Sequence, residues 1–410
     1  MRAFMINTVC GVGSTGRICG ALATAVEREG GESLIAYGRG DVPADCGVSA
    51  VRIQSRAGVL TDALLTRLSD CAGSFSRAAT RRLIAQLERF DPDVVHLHNL
   101  HGYYLNVKML LDYLASSGRP VVWTLHDCWA LTGHCCHFSR VGCDRWRTGC
   151  HHCPQRGAYP AAWWADRSAD NYRRKRELLT ALPSLRLVTP SRWLASQVEQ
   201  SYLGNYPVHV VPNGIDLSVF RPSSQAERHA ARAALGLGER PVVLGAASVW
   251  NESKGLARLC ELAALPGAPY CVVAVGLTDK QIAALPRGMI GLPRVGGAAQ
   301  MAQLYGMADV FVNPSVEETM GMTTLEAMAC GVPVVTSAQT AVPEVVDADG
   351  GLVVAKECAA AYDAAIRTVL SQPMQPRRSA ERYGIARMCE GYLAVYRAAM
   401  GCRNGNGGER

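Results

Sequence analysis

The sequence predicts an α/β protein with two tandem domains, each a parallel sheet covered by helices, and three observations support this prediction. Short, continuous apolar runs alternate with helical patterns along the 410 residues, as is typical of buried parallel strands. A glycine-rich turn at residues 11–16 separates the first run from the first helical pattern. The alternation then restarts after a turn at residues 212–216. Strand, glycine-rich turn and helix together indicate a Rossmann-like opening unit.

The first domain is predicted to cover residues 1–210. Its strands are expected at short, mainly apolar runs, and its helices at the stretches with a helical pattern between them. The expected strands are residues 3–6, 34–38, 94–98, 120–125, 185–189 and 208–211. The expected helices are residues 18–29, 82–90, 108–115, 170–179 and 192–202, the last with Ser191 as its N-cap. A long irregular stretch, residues 128–166, interrupts this pattern.

The second domain is predicted to cover residues 211–384. The same patterns place its strands at residues 241–246, 270–276, 310–312 and 332–336, and its helices at residues 227–235, 254–264, 300–307 and 322–330. Helix is again expected from residue 385 to 400, and the Gly- and Asn-rich tail 401–410 is expected to be disordered. Ligands of open α/β sheets bind beyond the carboxyl ends of the strands. Two such domains therefore predict a ligand-binding cleft between them.

Composition excludes several classes of protein. Hydrophobic residues make up 49% of the chain and charged residues 19%, which is too apolar for a disordered protein. No apolar run reaches 18 residues, so no membrane span is expected. The first residues have the pattern of a strand rather than of a signal peptide. We therefore expect a soluble, cytoplasmic protein.

The charge is unevenly distributed. The net charge of the chain is +7, and the whole excess lies in residues 1–210, because residues 211–410 balance their charges. A basic domain favours an anionic partner such as a phosphate or a membrane surface. No nucleic-acid-binding motif is present, so nucleic acid is not an expected partner.

The most informative motif is residues 313–335, NPSVEETMGMTTLEAMACGVPVV. A strand ends in a glycine-containing turn that leads into a helix, with Glu318 at the helix mouth and Glu326 eight residues later. Helix N-termini bind phosphate through free N–H groups, and a carboxylate accepts two hydroxyl hydrogen bonds from a sugar. The pattern suits a sugar nucleotide, with Glu326 on the ribose, Glu318 on the donor sugar, and the diphosphate on the backbone of Thr319, Met320, Gly321 and Met322. The alternative is that Glu318 interacts with the helix dipole and Glu326 is an exposed helix residue.

This string resembles the signature of the retaining glycosyltransferases of family 4, which have the GT-B fold. Other elements of that family match in chain order: Thr124-Leu125-His126-Asp127, Pro190-Ser191, Pro212-Asn213-Gly214-Ile215-Asp216, Lys254-Gly255 and Ala308-Asp309. The resemblance covers residues 1–370. It implies that His126 and Glu318 are catalytic, that Lys254 and Asn213 bind the donor, and that catalysis requires no metal or other cofactor. It also implies that the last helix returns to the first domain.

The chain departs from the family at one position. An arginine usually precedes the lysine by five or six residues, where this chain has Ser248 and Val249. Arg17 and Arg294 are candidate replacements as diphosphate ligands; alternatively, Lys254 and helix N–H groups suffice. The sequence Asp91-Pro92-Asp93 looks like a metal-binding motif, but it precedes a strand and so lies away from the predicted cleft. We assign no metal to it.

The acceptor is expected on the first domain. The resemblance places the glycine-rich loop, with Gly13, Ser14, Gly16 and Arg17, at the cleft; a plain tight turn is the alternative. A second group, His98, Asn99 and His101, surrounds the end of the predicted strand 94–98. These polar residues favour acceptor binding, although a packed core histidine is the common alternative.

A lipid-linked acceptor is expected, since a basic domain suits the anionic inner face of the plasma membrane. The candidate patches are residues 173–176 and the group Arg77, Arg81 and Arg82. The alternative is an ordinary solvated basic face.

The irregular stretch concentrates six of the sixteen cysteines. Cys135, Cys143, Cys150 and Cys153 end in a C-x2-C pair, a spacing that suits a tetrahedral structural zinc. The alternative is a group of reduced packing cysteines, since stable disulfides are rare in the cytoplasm.

These observations lead to one prediction of function with two rivals. We expect a retaining glycosyltransferase that moves a sugar from a nucleotide diphosphate sugar to a lipid-linked or other glycan acceptor in polysaccharide biosynthesis. The rivals are a sugar-nucleotide epimerase of the same fold and a non-catalytic, zinc-containing binding module.

Overall fold

The computed structural model describes residues 1–44 and 46–404, which form two compact units. The first unit comprises Met1–Pro212 together with the C-terminal residues from Met388, and the second comprises Asn213–Arg387. Each unit contains one sheet in which every neighbouring pair of strands is parallel. The predicted α/β class with two parallel-sheet domains is confirmed.

The first unit is built on a seven-stranded sheet with the order β3-β2-β1-β4-β5-β6-β7. Its strands are β1 (Arg2–Asn7), β2 (Glu32–Tyr37), β3 (Ala50–Arg52), β4 (Val94–Leu97), β5 (Val121–Thr124), β6 (Leu185–Thr189) and β7 (Val208–Val210). Its helices are α1 (Gly13–Arg28), α2 (Arg56–Ser69), α3 (Arg77–Phe90), α4 (Val107–Ser117), α5 (Ser168–Thr180) and α6 (Arg192–Glu199), completed by the last helix of the chain. Strands β1, β4 and β5 are buried along almost their whole length, as expected of central parallel strands.

The second unit is built on a six-stranded sheet with the order β10-β9-β8-β11-β12-β13. Its strands are β8 (Val242–Ala246), β9 (Cys271–Leu277), β10 (Ile290–Pro293), β11 (Val310–Asn313), β12 (Val334–Ser337) and β13 (Gly351–Val354). Its helices are α7 (Gln225–Ala234), α8 (Leu256–Ala263), α9 (Asp279–Ala283), α10 (Ala298–Met307), α11 (Met322–Ala329), α12 (Ala359–Ser371) and α13 (Pro376–Glu381).

Each sheet has one position where the strand order reverses. In the first unit the reversal lies between β1 and β4, and in the second between β8 and β11. The connections leave such a pair of strands in opposite directions, which opens a crevice beyond their carboxyl ends. The loops after β1 and β4, and those after β8 and β11, are therefore the places where ligands are expected.

The last helix, α14 (Ile385–Asn404), joins the first unit from Met388 onward. The helix continues four residues beyond the predicted end at residue 400, so residues 401–404 are not the disordered start of a tail. The remaining residues of the predicted tail, 405–410, lie outside the described residues. Within the described part, no helix combines the length and the hydropathy needed to cross a bilayer.

Two helices differ instructively from the sequence prediction. Helix α1 begins at Gly13 rather than at residue 18, because the glycine-rich loop already contributes its first turn. Helix α2 was not predicted, since its leucines lie on the solvent-exposed side of the helix instead of on the side that faces the core. The irregular stretch 128–166 is confirmed, with a single short 3-10 turn at Arg145–Arg147.

Candidate functional site

The second unit brings Lys254 and Glu318 together at its switch point. Lys254 ends a short 3-10 turn after β8, and Glu318 lies in the loop after β11. Lys254 Nζ donates to Glu318 Oε1 at 2.6 Å, and the two side chains are 28% and 20% exposed. A cation and a carboxylate thus stand side by side at the edge where an anionic ligand of this sheet is expected.

The turn that carries Lys254 is fixed by its neighbours. The Asn251 side chain caps the turn by accepting from the backbone N–H groups of Ser253 and Lys254 at 3.1 and 3.2 Å. Gly255 follows with a φ of +75°, and a Cβ at this position would lie 2.7 Å from the Pro314 carbonyl oxygen. Only glycine combines that backbone conformation with so close an approach. Gly255 is therefore required by the packing of the two loops.

Glu326 lies on α11 and is held by a residue that the sequence did not single out. The buried Tyr305 of α10 donates its hydroxyl to Glu326 Oε2 at 2.9 Å. This contact joins residues 21 positions apart, and no local pattern in the sequence signals it. The Tyr305 hydroxyl therefore helps to fix the orientation of the Glu326 carboxylate.

The predicted phosphate-binding turn begins α11 without a side-chain cap. Gly321 is the N-cap residue, with a φ of +87° that favours glycine, and as a glycine it provides no capping side chain. Met320 is buried, and its sulfur accepts the backbone N–H of Asn213 at 3.1 Å. Thr319 and Met322 are partly exposed at the same loop. The first N–H groups of α11 are thus free of a capping side chain, as an anion site requires.

Two other predicted donor ligands behave differently. Asn213 is buried, and its Oδ1 atom has no hydrogen-bond partner within the described residues. Arg294 is exposed directly after β10, the edge strand of the sheet, two strands away from β8. The structure therefore keeps Arg294 away from the Lys254–Glu318 pair by the width of β9 and β8.

In the first unit, the glycine-rich loop follows β1 and begins α1. Gly11 and Gly13 have φ values of +70° and +63°, which favour glycine. Ser14 and Arg17 are exposed on the first turn of α1, whereas Gly16 is buried against the loop. The N-cap residue Val12 offers no side-chain hydrogen bond. This helix N-terminus is therefore uncapped and faces the switch-point crevice of its own sheet.

His96 belongs to a buried hydrogen-bond chain that reaches the last helix. Its Nδ1 lies 2.6 Å from the Tyr396 hydroxyl, and its Nε2 lies 2.8 Å from Thr124 Oγ1. Thr124 Oγ1 donates in turn to the Tyr392 hydroxyl at 3.0 Å. The chain is complete when His96 carries its proton on Nε2 and accepts from Tyr396. Burial, with a smaller effect of His126, holds the pKa of His96 well below its usual range, so the ring stays neutral.

His98 and His126 form a stacked pair beyond the ends of β4 and β5. His98 Nδ1 lies 3.0 Å from His126 Nε2, and the two rings are nearly parallel, 5.3 Å apart. The buried Nε2 atom of His98 has no partner in the described chain, so an unprotonated nitrogen is the less costly form there. His98 then donates from Nδ1, and His126 carries its own proton on Nδ1. Burial lowers the pKa of His126 to about 4, which leaves a neutral donor.

His101 is committed to other protein groups. Its Nε2 lies 2.8 Å from Asp127 Oδ2 and its Nδ1 lies 3.3 Å from the Tyr159 hydroxyl. Burial alone would raise the pKa of Asp127, but the charge and hydrogen bond of His101 hold it below the usual range. Asn99 is partly exposed, and its backbone carbonyl accepts from Thr8 and Tyr104. Through these contacts, His101 supports the loop that contains His126 and Asp127.

The four predicted zinc ligands line one cavity inside the irregular stretch 128–166. The cavity wall includes Cys135, Cys143, Cys150 and Cys153. Cys150 Sγ accepts the backbone N–H of Gly133 at 3.2 Å. Cys135 and Cys153 share a hydrogen bond, which raises the pKa of Cys135 and lowers that of Cys153 to about 6. All four thiols are free.

A second group of possible metal ligands lies beside this stretch. His101, Asp127 and Cys136 place their ligand atoms within 4.8 Å of one another. Burial and the neighbouring Asp127 carboxylate raise the pKa of the Cys136 thiol well above its usual range. The sequence did not separate Cys136 from its neighbour Cys135, because adjacent positions differ only in the direction that the fold gives each side chain.

One predicted basic patch is smaller than its sequence indicates. Lys175 was placed on a basic surface with its neighbours, but it is 5% exposed. Its Nζ donates to the Trp129 carbonyl at 2.6 Å and lies 3.8 Å from the centre of that ring. The expectation is wrong for Lys175, because its position on α5 faces the interior. In the other patch, Arg82 is partly withdrawn by donating to the Ile53 carbonyl.

The two carboxylates of the Asp91-Pro92-Asp93 motif accept hydrogen bonds at the end of β4 opposite to His98. Arg119 donates to Asp91 Oδ1 at 2.7 Å, and the backbone N–H of Arg2 donates to Asp93 Oδ2 at 2.7 Å. The two carboxylates are thus engaged by separate partners away from the switch point.

Family profiles match the two halves of the chain separately. Residues 15–219, half of the chain, match the profile described as Glycosyltransferase Family 4, and residues 240–372 match that of Glycosyl transferases group 1. The fold predicted for such proteins, two tandem α/β domains of the GT-B type, is confirmed by these matches and by the two sheets.

Two curated relatives are similar over part of their length. A putative colanic acid biosynthesis glycosyl transferase, WcaC of Escherichia coli, is 34% identical over 31% of this chain and 32% of its own length. A D-inositol 3-phosphate glycosyltransferase of Segniliparus rotundus is 32% identical over 50% of this chain and 51% of its own length. The chain thus spans about a third and about half of the length of these relatives.

Among solved structures, HepE of Anabaena in complex with UDP-glucose is similar to the whole chain. The TM-score is 0.65 at 16% identity, covering 97% of this chain and 100% of that one. At this identity the likeness concerns the fold.

Proposed function

Since the chain belongs to glycosyltransferase family 4, we propose that it transfers a sugar from a nucleotide diphosphate sugar to a glycan acceptor, with retention of anomeric configuration. The single observation that carries this proposal is the Lys254–Glu318 pair at the switch point of the second unit, next to an uncapped helix N-terminus. A diphosphate needs cations and N–H donors, whereas a sugar needs a carboxylate for its hydroxyls. The loops after β8 and β11 offer both.

The donor is proposed to bind as follows. Lys254 and the first N–H groups of α11 take the diphosphate, Glu326 takes the ribose hydroxyls, and Glu318 takes hydroxyls of the sugar. In the free protein, Lys254 and Glu318 neutralise each other at 2.6 Å. Donor binding then replaces that contact with two separate ones, lysine to phosphate and glutamate to sugar.

The transfer step is proposed to rest on electrostatic stabilisation. As the bond between the sugar and the diphosphate breaks, negative charge grows on the leaving oxygen, and fixed cations and N–H donors stabilise that charge. His126 serves as a neutral hydrogen-bond donor to the donor sugar, since its partner His98 fixes its proton on Nδ1. We assign no covalent nucleophile, so retention follows from attack on the face that the diphosphate leaves.

The acceptor is proposed to bind the first unit, at the exposed Ser14 and Arg17 and at His98 and Asn99. The similarity to a relative named for colanic acid biosynthesis supports a role in polysaccharide biosynthesis. We further propose that the acceptor is lipid-linked and that the protein works at the inner, anionic face of the plasma membrane. The charge excess of residues 1–210 supports this part of the proposal.

A thermal-shift panel of nucleotide sugars tests the proposal. A donor at about 100 times its Kd stabilises the folded protein by roughly 2.7 kcal/mol, which raises Tm by several degrees for a unit of this size. Glu326→Ala should abolish the shift, whereas Glu239→Ala, at an exposed position of the same unit, should preserve it. Identical shifts in both variants would contradict the donor assignment.

The products then distinguish transfer from its rival. NMR of the glycoside formed on an isolated lipid-linked acceptor should show the same anomeric configuration as the donor. Release of free nucleotide with an epimerised sugar, in the absence of any acceptor, would instead support an epimerase.

We also propose a structural zinc held by Cys135, Cys143, Cys150 and Cys153. A shared cavity, sulfur atoms that accept backbone N–H groups, and a long stretch without regular structure support this assignment. Zinc would order such a segment through four thiolates. The group His101, Asp127 and Cys136 is the competing location.

Elemental analysis of the purified protein separates the two locations. We expect about one zinc per chain, lost in Cys150→Ser/Cys153→Ser and retained in Cys136→Ser. The reverse result would move the metal to the competing group, and a metal-free wild-type protein would leave the thiols as packing cysteines. Cys260→Ser/Cys271→Ser, in the other unit, is the matched control.

A further inference from the structure

One surface of the first unit leaves large apolar side chains in water. Leu60, Leu64, Leu65 and Leu68 of α2 are 72%, 48%, 37% and 41% exposed. Residues 60, 64 and 68 are spaced by four and residue 65 lies beside them, so they form one stripe along the helix. A stripe of leucines facing solvent is the reverse of what a surface helix of a soluble protein presents.

Two adjacent tryptophans continue the stripe. Trp163 and Trp164 are 47% and 70% exposed, and their rings contact each other edge to face. The backbone N–H of Trp163 donates to the Arg67 carbonyl at 2.8 Å, so the pair lies directly beside the last turn of α2. We call the four leucines and two tryptophans the apolar stripe. Contiguous apolar surface of this kind marks an interaction site.

The charges around the apolar stripe are predominantly positive. The only carboxylate on α2, Asp62, is 2% exposed and accepts from the Ser76 and Thr66 hydroxyls. Arg56 is paired with Asp41. Three further arginines lie beside the stripe: Arg67 on α2, Arg156, which donates to the Trp164 carbonyl at 3.2 Å, and Arg167, whose backbone N–H donates to Asp70 just after α2. An exposed carboxylate nearby, Asp166, is engaged by the backbone of Cys153 and by Ser168.

We propose that the apolar stripe inserts into the interfacial region of an anionic lipid bilayer, with the bordering arginines on the lipid phosphates. Leucines beside tryptophans match the boundary between headgroups and acyl chains, where amphipathic aromatic rings concentrate. Arginine binds phosphate oxygens with paired hydrogen bonds. A second copy of the chain is a poorer occupant, because the same arginines would then face each other. The inference rests on the proposed lipid-linked acceptor, and it names the surface that would bring the enzyme to that acceptor.

Vesicle co-sedimentation tests the proposal with the whole chain. We expect binding to phosphatidylcholine vesicles that contain phosphatidylserine, and much weaker binding to phosphatidylcholine alone. Leu64→Ser/Trp164→Ser should lower the partition coefficient roughly tenfold or more. Val353→Ser, which removes an exposed apolar side chain from the other unit, should leave it unchanged. Equal binding by Leu64→Ser/Trp164→Ser and Val353→Ser would overturn the proposal.

Two further measurements distinguish membrane binding from dimer formation and from donor binding. Sedimentation velocity without lipid should give the same molecular mass for wild type and Leu64→Ser/Trp164→Ser; a dimer lost in the variant would assign the stripe to a second copy and overturn the proposal. Donor-induced thermal shifts of Leu64→Ser/Trp164→Ser and of Val353→Ser should equal that of the wild type. Binding to vesicles without binding of any donor would refute the proposed function but support the membrane-binding surface.

Discussion

Replacing Lys254 by alanine should weaken donor binding far more than it weakens the fold. In the free protein the lysine donates to the Glu318 carboxylate at 2.6 Å and to the Glu317 carbonyl at 3.4 Å. Because the two side chains are 28% and 20% exposed, water screens their attraction, and such pairs contribute roughly 0.2–1 kcal/mol to stability. For a unit of this size the loss lowers Tm by about 4 °C at most.

The expected effect on the donor is larger. A diphosphate bound by Lys254 loses a hydrogen bond between two charged partners, which costs on the order of 1.5–3 kcal/mol. That range corresponds to a Kd about 10 to 150 times higher. Both quantities can be measured on one protein preparation, by isothermal titration calorimetry with a nucleotide diphosphate and by thermal unfolding.

Lys280→Ala is the matched control, since Lys280 is an exposed lysine of α9 in the same unit. It removes the same charge from the unit without touching the switch point. A Kd for Lys254→Ala within twofold of wild type, or an equal loss in Lys280→Ala, would refute the assignment of Lys254 to the diphosphate.

Three further outcomes follow from contacts described above. Gly255→Ala should destabilise the protein by about 2–4 kcal/mol in denaturant unfolding, whereas Gly267→Ala, with a similar φ of +71° but nothing within 4 Å, should cost only about 1–2 kcal/mol; equal costs would remove the close approach as a cause. Tyr305→Phe should cost about 0.5–1.5 kcal/mol of stability and weaken donor binding several-fold, because Glu326 loses the hydroxyl that orients it. An unchanged Kd would show that Glu326 needs no positioning by Tyr305. Burial holds the pKa values of His96 and His98 in the folded protein well below their usual range. The stability that the two neutral rings contribute is therefore complete above their unfolded pKa of about 6.5. It is lost as the pH falls from there toward their folded pKa values, by up to about 1.4 kcal/mol per pH unit for each ring. Unfolding free energies that do not fall between pH 7 and pH 5, or that fall equally in His98→Asn, would contradict this.

The parts of the site that the sequence predicted are those that depend on short-range backbone patterns. Lys254 and Glu318 follow strands that are visible as apolar runs, and both belong to loops whose glycines have positive φ or close contacts. Parallel strands end at the same edge of a sheet, so a residue just after a strand is placed by the strand itself. The places of Lys254 and Glu318 in the fold could therefore be predicted, whereas the donor-binding role of Lys254 came from the family resemblance and stays a proposal.

The supporting residues could not be found in this way. Tyr396 reaches His96 across 300 positions, and Tyr392 reaches Thr124 across 268. Buried tyrosines on a helix give the same pattern whether or not their hydroxyls meet a polar partner.

Lys175 shows the converse problem. A run of four basic residues predicts a solvated face, yet the fold turns this lysine onto Trp129. Helix α2 was missed for a related reason, since leucines on its outer face removed the amphipathic pattern that identifies a surface helix.

The return of α14 to the first unit has a consequence for how the protein is made. Synthesis runs from the N-terminus, and domains usually fold as their last residues emerge. Here the partners of His96 and Thr124 are Tyr396 and Tyr392, so the first sheet is translated long before the hydroxyls that complete its buried polar chain. Until then His96 and Thr124 have each other as hydrogen-bond partners, but each lacks the tyrosine hydroxyl that completes its bonding when buried. The second unit can therefore complete its folding before the first, although its synthesis begins later. A ribosome that stalls anywhere before codon 396 leaves the first unit without Tyr396.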